Sequence, residues 1–196
     1  MERSELTELH YITPIANVPS ILQHGILSHN RAEAIQHKSV AMPEIQDLRA
    51  TVVVPGSKRL HDFANLYICA RNPMMYKLQT RYKELCILRI SHEVIHLPGV
   101  VITDCNASSS YVRFSAAPDG IAIVNSTLTF AEDWRDPDPI QYFKKKAAKC
   151  AEVLVPDKVE AGYITGAYVA CHEGLTAFRS RITNVPAVVN SELFFR

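Results

Sequence analysis

The chain reads as a series of short apolar runs, each closed by proline, glycine or a polar cluster. Leu9-His10-Tyr11-Ile12-Thr13-Pro14 is aromatic and β-branched, and it predicts a strand that Pro14 ends. Asn17 is placed to cap a following helix with Pro19 in its first turn and Gly25 as its stop. Ile26 and Leu27 then form a brief extended piece leading into Ser28 and a loop, and residues 31–37 can form a helix. Pro43 to Arg49 is a stronger helix, with proline early, an acid in the first turn and a base at the end. Further strands are predicted at Asn65–Ala70, Glu84–Ile90, Val100–Thr103, Cys150–Pro156 and Ala167–Cys171. Tyr111–Phe114 and Ile121–Val124 are shorter extended candidates around a Pro118-Asp119-Gly120 turn. Short helices are expected at Met74–Leu78, Ile140–Lys149 and near Val159–Tyr163, with a helix or turn carrying Arg179 and Arg181. The apolar tail, 187–189 and 193–195, is suited to docking on the body.

Seven or eight short strands without a regular β-α-β alternation predict an α+β fold rather than a parallel doubly wound sheet. With 196 residues, 47% of them hydrophobic, the expectation is a single domain, 1–196, with a real core. A net charge of +1 means that any nucleic-acid binding must come from a local patch. The five cysteines are scattered and form no C-x-x-C pair, which fits reduced thiols and a cytoplasmic protein better than a disulfide framework or zinc ribbon. The eight histidines show no metal-binding spacing, so no metal is expected. The charged start is not followed by an apolar run, and neither a signal peptide nor a membrane span is expected. There is no Gly-rich dinucleotide fingerprint and no Walker loop.

One carboxylate, Glu152, interrupts the most apolar strand. A buried carboxylate needs a partner or a task. Pairing with a lysine between Lys144 and Lys149 would satisfy it as an ordinary ion pair, and a catalytic assignment would also fit. Arg49, at a helix exit, can complement the helix dipole or turn into a cleft. Phe130 to Pro139 is a charged, proline-rich loop holding the only tryptophan, Trp134, which can serve as a packing anchor or as a stacking surface for a base.

Four segments in register resemble the DarT family of DNA ADP-ribosyltransferases, the toxins of DarT–DarG toxin–antitoxin pairs. They are Tyr11-Ile12-Thr13 through Asn17 to Leu27, Pro43 to Arg49, Asn65 to Tyr76 with its Arg71-Asn72-Pro73-Met74 turn, and Ala151-Glu152-Val153-Leu154-Val155-Pro156. The resemblance implies an ADP-ribosyltransferase-like fold, with a central, mostly antiparallel split sheet flanked by short helices. It implies NAD as co-substrate, single-stranded DNA as acceptor, and an antitoxin partner that reverses the modification. Glu152 and Arg49 would be the catalytic residues. His10, Tyr11, Thr13, Asn17, Leu27, Ser28 and Tyr67 would line the NAD cleft. Trp134, Arg135, Lys144, Lys145, Lys146 and Lys149, with Arg71, would guide DNA, cations meeting phosphates and an aromatic meeting a base.

The family's usual cleft histidine falls on Tyr11 here, with His10 adjacent, so that either residue could take its place. This departure tilts the expected target base from thymine toward guanine. The same NAD chemistry on RNA or protein, or a module that binds nucleotide or RNA without catalysis, are the competing expectations. Retention of both Arg49 and Glu152 argues against the inactive module.

Overall fold

The computed structural model describes residues Met1–Arg196. Ten strands and seven α-helices alternate with short 3₁₀ turns. The strands are β1 Glu8–Pro14, β2 Ile26–Leu27, β3 Phe63–Tyr67, β4 Leu85–Ser91, β5 Val101–Thr103, β6 Phe114–Ala116, β7 Glu152–Pro156, β8 Lys158–Val159, β9 Ile164–Val169 and β10 Ala187–Val189. The helices are α1 Val18–His24, α2 His29–Ala32, α3 Pro43–Thr51, α4 Pro73–Lys77, α5 Ser126–Thr129, α6 Pro139–Ala148 and α7 His172–Arg179. Eight strands form one sheet in the order β10-β9-β4-β1-β3-β7-β5-β6, while β2 and β8 pair separately. Every pairing is antiparallel except β10 with β9. No helix is long and apolar enough to cross a membrane.

The sheet is split, as the family resemblance implies. β1 runs against β4 through every residue from Glu8 to Pro14, but it meets β3 only at His10 opposite Tyr67. No further residues of the two strands pair, and Tyr11, Ile12 and Thr13 of β1 line one cavity together with Phe63, Asn65 and Tyr67 of β3. The central strands need both faces covered, which is why β4 is apolar on both: Leu85, Cys86, Ile87, Leu88 and Ile90 are fully buried.

One face packs on a cluster of 26 buried residues that includes Leu9, Leu66, Leu88 and Val153. The opposite face carries two smaller clusters. One joins Ile12, Tyr67, Ile87, Met75 and Phe194, and the other joins Val54, Leu60, Phe63, Ala107 and Leu154. The cavity lies on this second face, where burial is incomplete.

Local chemistry sets the ends of the elements that matter for the cavity. Gly25 closes α1 at φ 86°, and a Cβ there would meet the Val159 carbonyl oxygen at 2.5 Å. Asn72 caps α4 by accepting from Met75 N at 3.1 Å, with Pro73 beginning the helix. Asp138 caps α6, again with proline following.

Several expectations are corrected. Asn17 makes no capping bond; its amide holds the backbone of Lys38 instead. The helix expected at 31–37 is a single turn at His29–Ala32. Ile121–Val124 is not a strand, since the chain coils as a 3₁₀ turn over Asp119–Ile123 that buries Ile121. Val159 pairs with Ile26 rather than beginning a helix. At Ile121 and Val159 a short apolar run is buried by tertiary packing, which periodicity over so few residues cannot assign.

Candidate active site

Helix α3 brings Arg49 in at its last turn, and β7 brings Glu152 in at its first residue. Nη1 and Nη2 of Arg49 donate to Oε1 and Oε2 of Glu152, each at 3.0 Å. Both side chains are buried, Glu152 completely. A planar fork against a planar carboxylate is the strongest geometry available to such a pair, and it compensates two charges taken out of water. Burial opposes the charged form of Arg49, but the charge and hydrogen bonds of Glu152 outweigh it and raise the guanidinium's pKa.

A third donor, Ala107 N, reaches Glu152 Oε1 at 3.1 Å. The backbone of Glu152 is fixed as well: its N–H donates to Thr103 Oγ1 at 3.1 Å, and that hydroxyl donates to Cys105 O at 2.7 Å. The loop after β5 is thereby keyed to the carboxylate.

Tyr67 sits directly across from Glu152 on β3 and donates from its hydroxyl to Met74 Sδ at 3.1 Å. Burial, reinforced by the Glu152 charge, pushes its phenol well above the usual range, so the ring is neutral. Arg49 and Tyr67 face a cavity of about 660 Å³. Its other cationic lining residues are Lys38, Lys77 and Lys146, with His29, His37 and His61, and no aspartate or glutamate lines it. A chain of net charge +1 has therefore gathered one sign of charge in one concavity, which concentrates an anionic ligand there.

A family profile described as "ssDNA thymidine ADP-ribosyltransferase, DarT" matches residues 10–195. The chain belongs to the DarT family. It is 35% identical to a DNA ADP-ribosyl transferase–DNA ADP-ribosyl glycohydrolase fusion protein of Thermosipho africanus, across 96% of this chain and 49% of the relative. The structure of Thermosipho africanus DarTG in complex with ADP-ribose superposes with a TM-score of 0.84 at 34% identity, over 96% of this chain and 51% of the other. The chain thus spans about half the length of that fusion protein. Thermus sp. 2.9 DarT in complex with ADP-ribosylated ssDNA superposes with a TM-score of 0.80 at 25% identity, over 97% of each chain.

With the DarT architecture in place, the residues expected at the dinucleotide cleft divide into two groups. Tyr11, Thr13, Asn17, Leu27 and Tyr67 line the cavity; His10 and Ser28 do not. His10 faces away from it, with Nδ1 3.2 Å from Ile68 O and Nε2 3.2 Å from Glu8 Oε1. Tyr11, not His10, thus occupies the cavity wall. Ser28 is almost wholly buried, and its neighbour His29 reaches the cavity instead. Asn17 acts on the chain that roofs the cavity: Nδ2 donates to Lys38 O at 2.9 Å and Oδ1 accepts from Lys38 N at 3.0 Å.

Three of the seven residues expected to guide DNA, Trp134, Lys149 and Arg71, are taken up by the fold instead. Trp134 is buried in edge-to-face contact with Tyr76 and Phe195, at 5.8 and 5.7 Å between centroids, so no base can stack on it. Lys149 is 1% exposed, and its Nζ donates to the carbonyls of Thr129 and Ala131. Arg71 donates to the carbonyls of Glu192 and Phe194 and lies 4.0 Å above the Phe195 ring, fastening the tail. Arg135 pairs with Asp133 and Lys145 with Asp136. Lys144 is exposed, and Lys146 alone of the set lines the cavity.

Sequence reasoning missed the aromatic rim. Tyr111 and Phe143, 52% and 60% exposed, border the cavity beside Lys146, and the Tyr111 hydroxyl donates to Phe143 O at 3.4 Å. The available signal was the polar run Asp104–Ser110 ending in an aromatic. His29 and His61 were missed because each is a lone histidine in its own segment.

Proposed function

We propose that the chain transfers ADP-ribose from NAD to a thymine base in single-stranded DNA. The observation that carries this reading is the Arg49–Glu152 fork beside Tyr67, in which Arg49 and Tyr67 line a cavity of about 660 Å³ among cations and no acid while Glu152 lies fully buried behind Arg49. The family match and the relative seen with ADP-ribosylated ssDNA support it.

NAD already contains its leaving group. The bond between the nicotinamide nitrogen and the ribose carbon breaks, its electron pair leaves with nicotinamide, and the ribose carbon becomes electron-poor. A base nitrogen attacks that carbon, forms the new glycosidic bond and releases its proton. Glu152 is the side chain suited to stabilise the developing positive charge, to accept a ribose hydroxyl hydrogen bond and to take up the proton. Its carboxylate is covered by Arg49, so the substrate has to take over part of the fork's contact. Tyr67 offers a neutral aromatic face to the cationic nicotinamide ring. Tyr111 and Phe143 offer stacking surfaces to bases of the acceptor strand, with Lys146 placed for a phosphate.

The test is mass spectrometry of oligonucleotides incubated with protein and NAD. One ADP-ribose should appear on a thymine-containing DNA strand and none on RNA, protein or a thymine-free strand. Labelling confined to guanine would replace thymine as the target, and no labelling with no NAD consumption would end the transferase reading. A glycohydrolase that removes the modification is the proposed partner, supported by the relative in which such an enzyme is fused to the transferase. A toxin role and a cytoplasmic setting, where both NAD and DNA are found, follow from the same proposal.

A further inference from the structure

The hydrogen-bond ladder of the sheet stops just short of the buried carboxylate. β5 pairs with β7 at Val101–Leu154 and Ile102–Val153, and no backbone pair follows. At the next position the Glu152 N–H donates to a side chain, Thr103 Oγ1, at 3.1 Å. Thr103 is fully buried, and its single hydroxyl proton goes to Cys105 O at 2.7 Å. One hydroxyl therefore fixes both where β7 starts and how the chain turns out of β5.

That turn leads back to the carboxylate. Further along it, Ala107 N donates to Glu152 Oε1 at 3.1 Å. The loop is braced at its neck, where Asp104 accepts from Arg113 N at 2.9 Å and from Arg113 Nε at 2.7 Å. It is braced again at the end of α6, where Asn106 N donates to Ala147 O at 3.1 Å. Glu152 thus has two kinds of partner. Arg49 reaches it with a long side chain that can swing toward a substrate. Ala107 reaches it with a backbone N–H on a braced loop, which cannot swing. When a substrate takes over the Arg49 contact, the Ala107 N–H is the donor that stays on the carboxylate.

We propose that Thr103 is a positioning residue for ADP-ribose transfer. Its hydroxyl holds the Glu152 backbone and the Ala107 donor in one register, and so keeps the carboxylate aimed at the reacting ribose once Arg49 has turned to the substrate. The proposal rests on the transferase reading above. Thr103 does not line the cavity, so it acts only through Glu152 and the loop. Without the hydroxyl, the Glu152 N–H and the Cys105 carbonyl lose their shared partner, and the loop is free to carry Ala107 away. A misplacement of about 1 Å at a reacting group costs on the order of 100-fold in rate.

The experiment is steady-state transfer from NAD to a thymine-containing single-stranded oligonucleotide by the full chain, with melting curves taken in parallel. Thr103→Val keeps the shape and deletes the hydroxyl. It should lower kcat about 10- to 100-fold, with KM for NAD and for the oligonucleotide unchanged. Thr103→Ser keeps the hydroxyl and deletes a buried methyl group. It should hold kcat near the wild-type value although it melts earlier than wild type. A purely structural role would make kcat follow the melting temperature and not the hydroxyl. Thr103→Cys, close in size but weakly bonding, replaces valine in the comparison if that variant does not fold. Wild-type kcat in the hydroxyl-free variant, an equal loss in Thr103→Ser, or a rise in KM alone overturns the positioning role and leaves the transferase reading intact. A wild-type chain that neither labels DNA nor consumes NAD ends that reading and the positioning role together.

Discussion

Arg49 and Glu152, 103 residues apart in sequence, form a buried two-bond fork with both contacts at 3.0 Å. Removing one member leaves the other charged and uncompensated, which costs about 3–5 kcal/mol in comparable buried pairs. Arg49→Ala and Glu152→Ala should therefore each lower stability by that order in chemical denaturation. The double variant should lose less than the sum of the two. Glu152→Gln keeps the shape and two acceptor or donor atoms, so it should stay folded while transfer to DNA falls below detection. Retained labelling by a folded Glu152→Gln protein would remove the carboxylate from the chemistry.

The aromatic rim makes a second, separable prediction. Phe143→Ala and Tyr111→Ala should each weaken single-stranded DNA binding roughly 5- to 150-fold, the range expected for losing one base-stacking surface of about 1–3 kcal/mol. ADP-ribose affinity should not change. Lys146→Ala should lower the salt slope of DNA binding by about one unit if it meets one phosphate. Fluorescence anisotropy at several salt concentrations reads both effects. Equal affinity in all three variants would place the strand elsewhere.

How much of this was legible beforehand depends on where each residue's partners lie. Glu152 stood out because an acid in an apolar strand violates local pattern, and Arg49 because a base at a helix exit can turn inward. Their contact, across 103 residues, became visible only in the fold. The split of the sheet depends on a single β1–β3 pair, His10 with Tyr67, and hydrophobic alternation says nothing about which strands part. Trp134, Lys149 and Arg71 had the right composition for a nucleic-acid groove, but composition does not reveal burial. The tail supplies the rings and carbonyls that occupy Trp134 and Arg71, and its docking is a tertiary event.

That docking is itself testable. Arg71 holds two tail carbonyls at 2.7 and 2.9 Å, while Phe195 joins Tyr76 and Trp134 in a three-ring contact. Phe194 is buried in the cluster that includes Met75 and Tyr67, and the neighbouring Met74 lines the cavity. Arg71→Ala and Trp134→Ala should lower the melting temperature, with losses of roughly 1–4 kcal/mol for a lost charge-assisted contact or a truncated buried ring. DNA affinity measured well below the melting point should be unaltered. A specific loss of DNA binding with unchanged stability would restore these two residues to the acceptor groove.

Glu8 gives the fold a defined response to acid. Its carboxylate receives Arg89 Nε at 2.6 Å and the Tyr168 hydroxyl at 2.9 Å, and lies 3.2 Å from His10 Nε2. Burial alone would raise its pKa, but the contacts with His10, Arg89 and Tyr168 prevail and lower it from 4.5 to about 2. A carboxyl group depressed in the folded state stabilises the fold above its unfolded pKa, and that contribution fades as pH falls through the folded value. The stability tied to Glu8 should thus be complete above pH 4.5 and disappear toward pH 2. Allowing for screening by solvent, it amounts to about 1–2 kcal/mol. Urea denaturation at pH 7, 4.5 and 3 measures it directly. Glu8→Gln should be less stable than wild type at pH 7, and the difference should narrow by pH 3. A gap of constant size across that range would mean that Glu8 acts through packing of β1 against β4 and not through its charge.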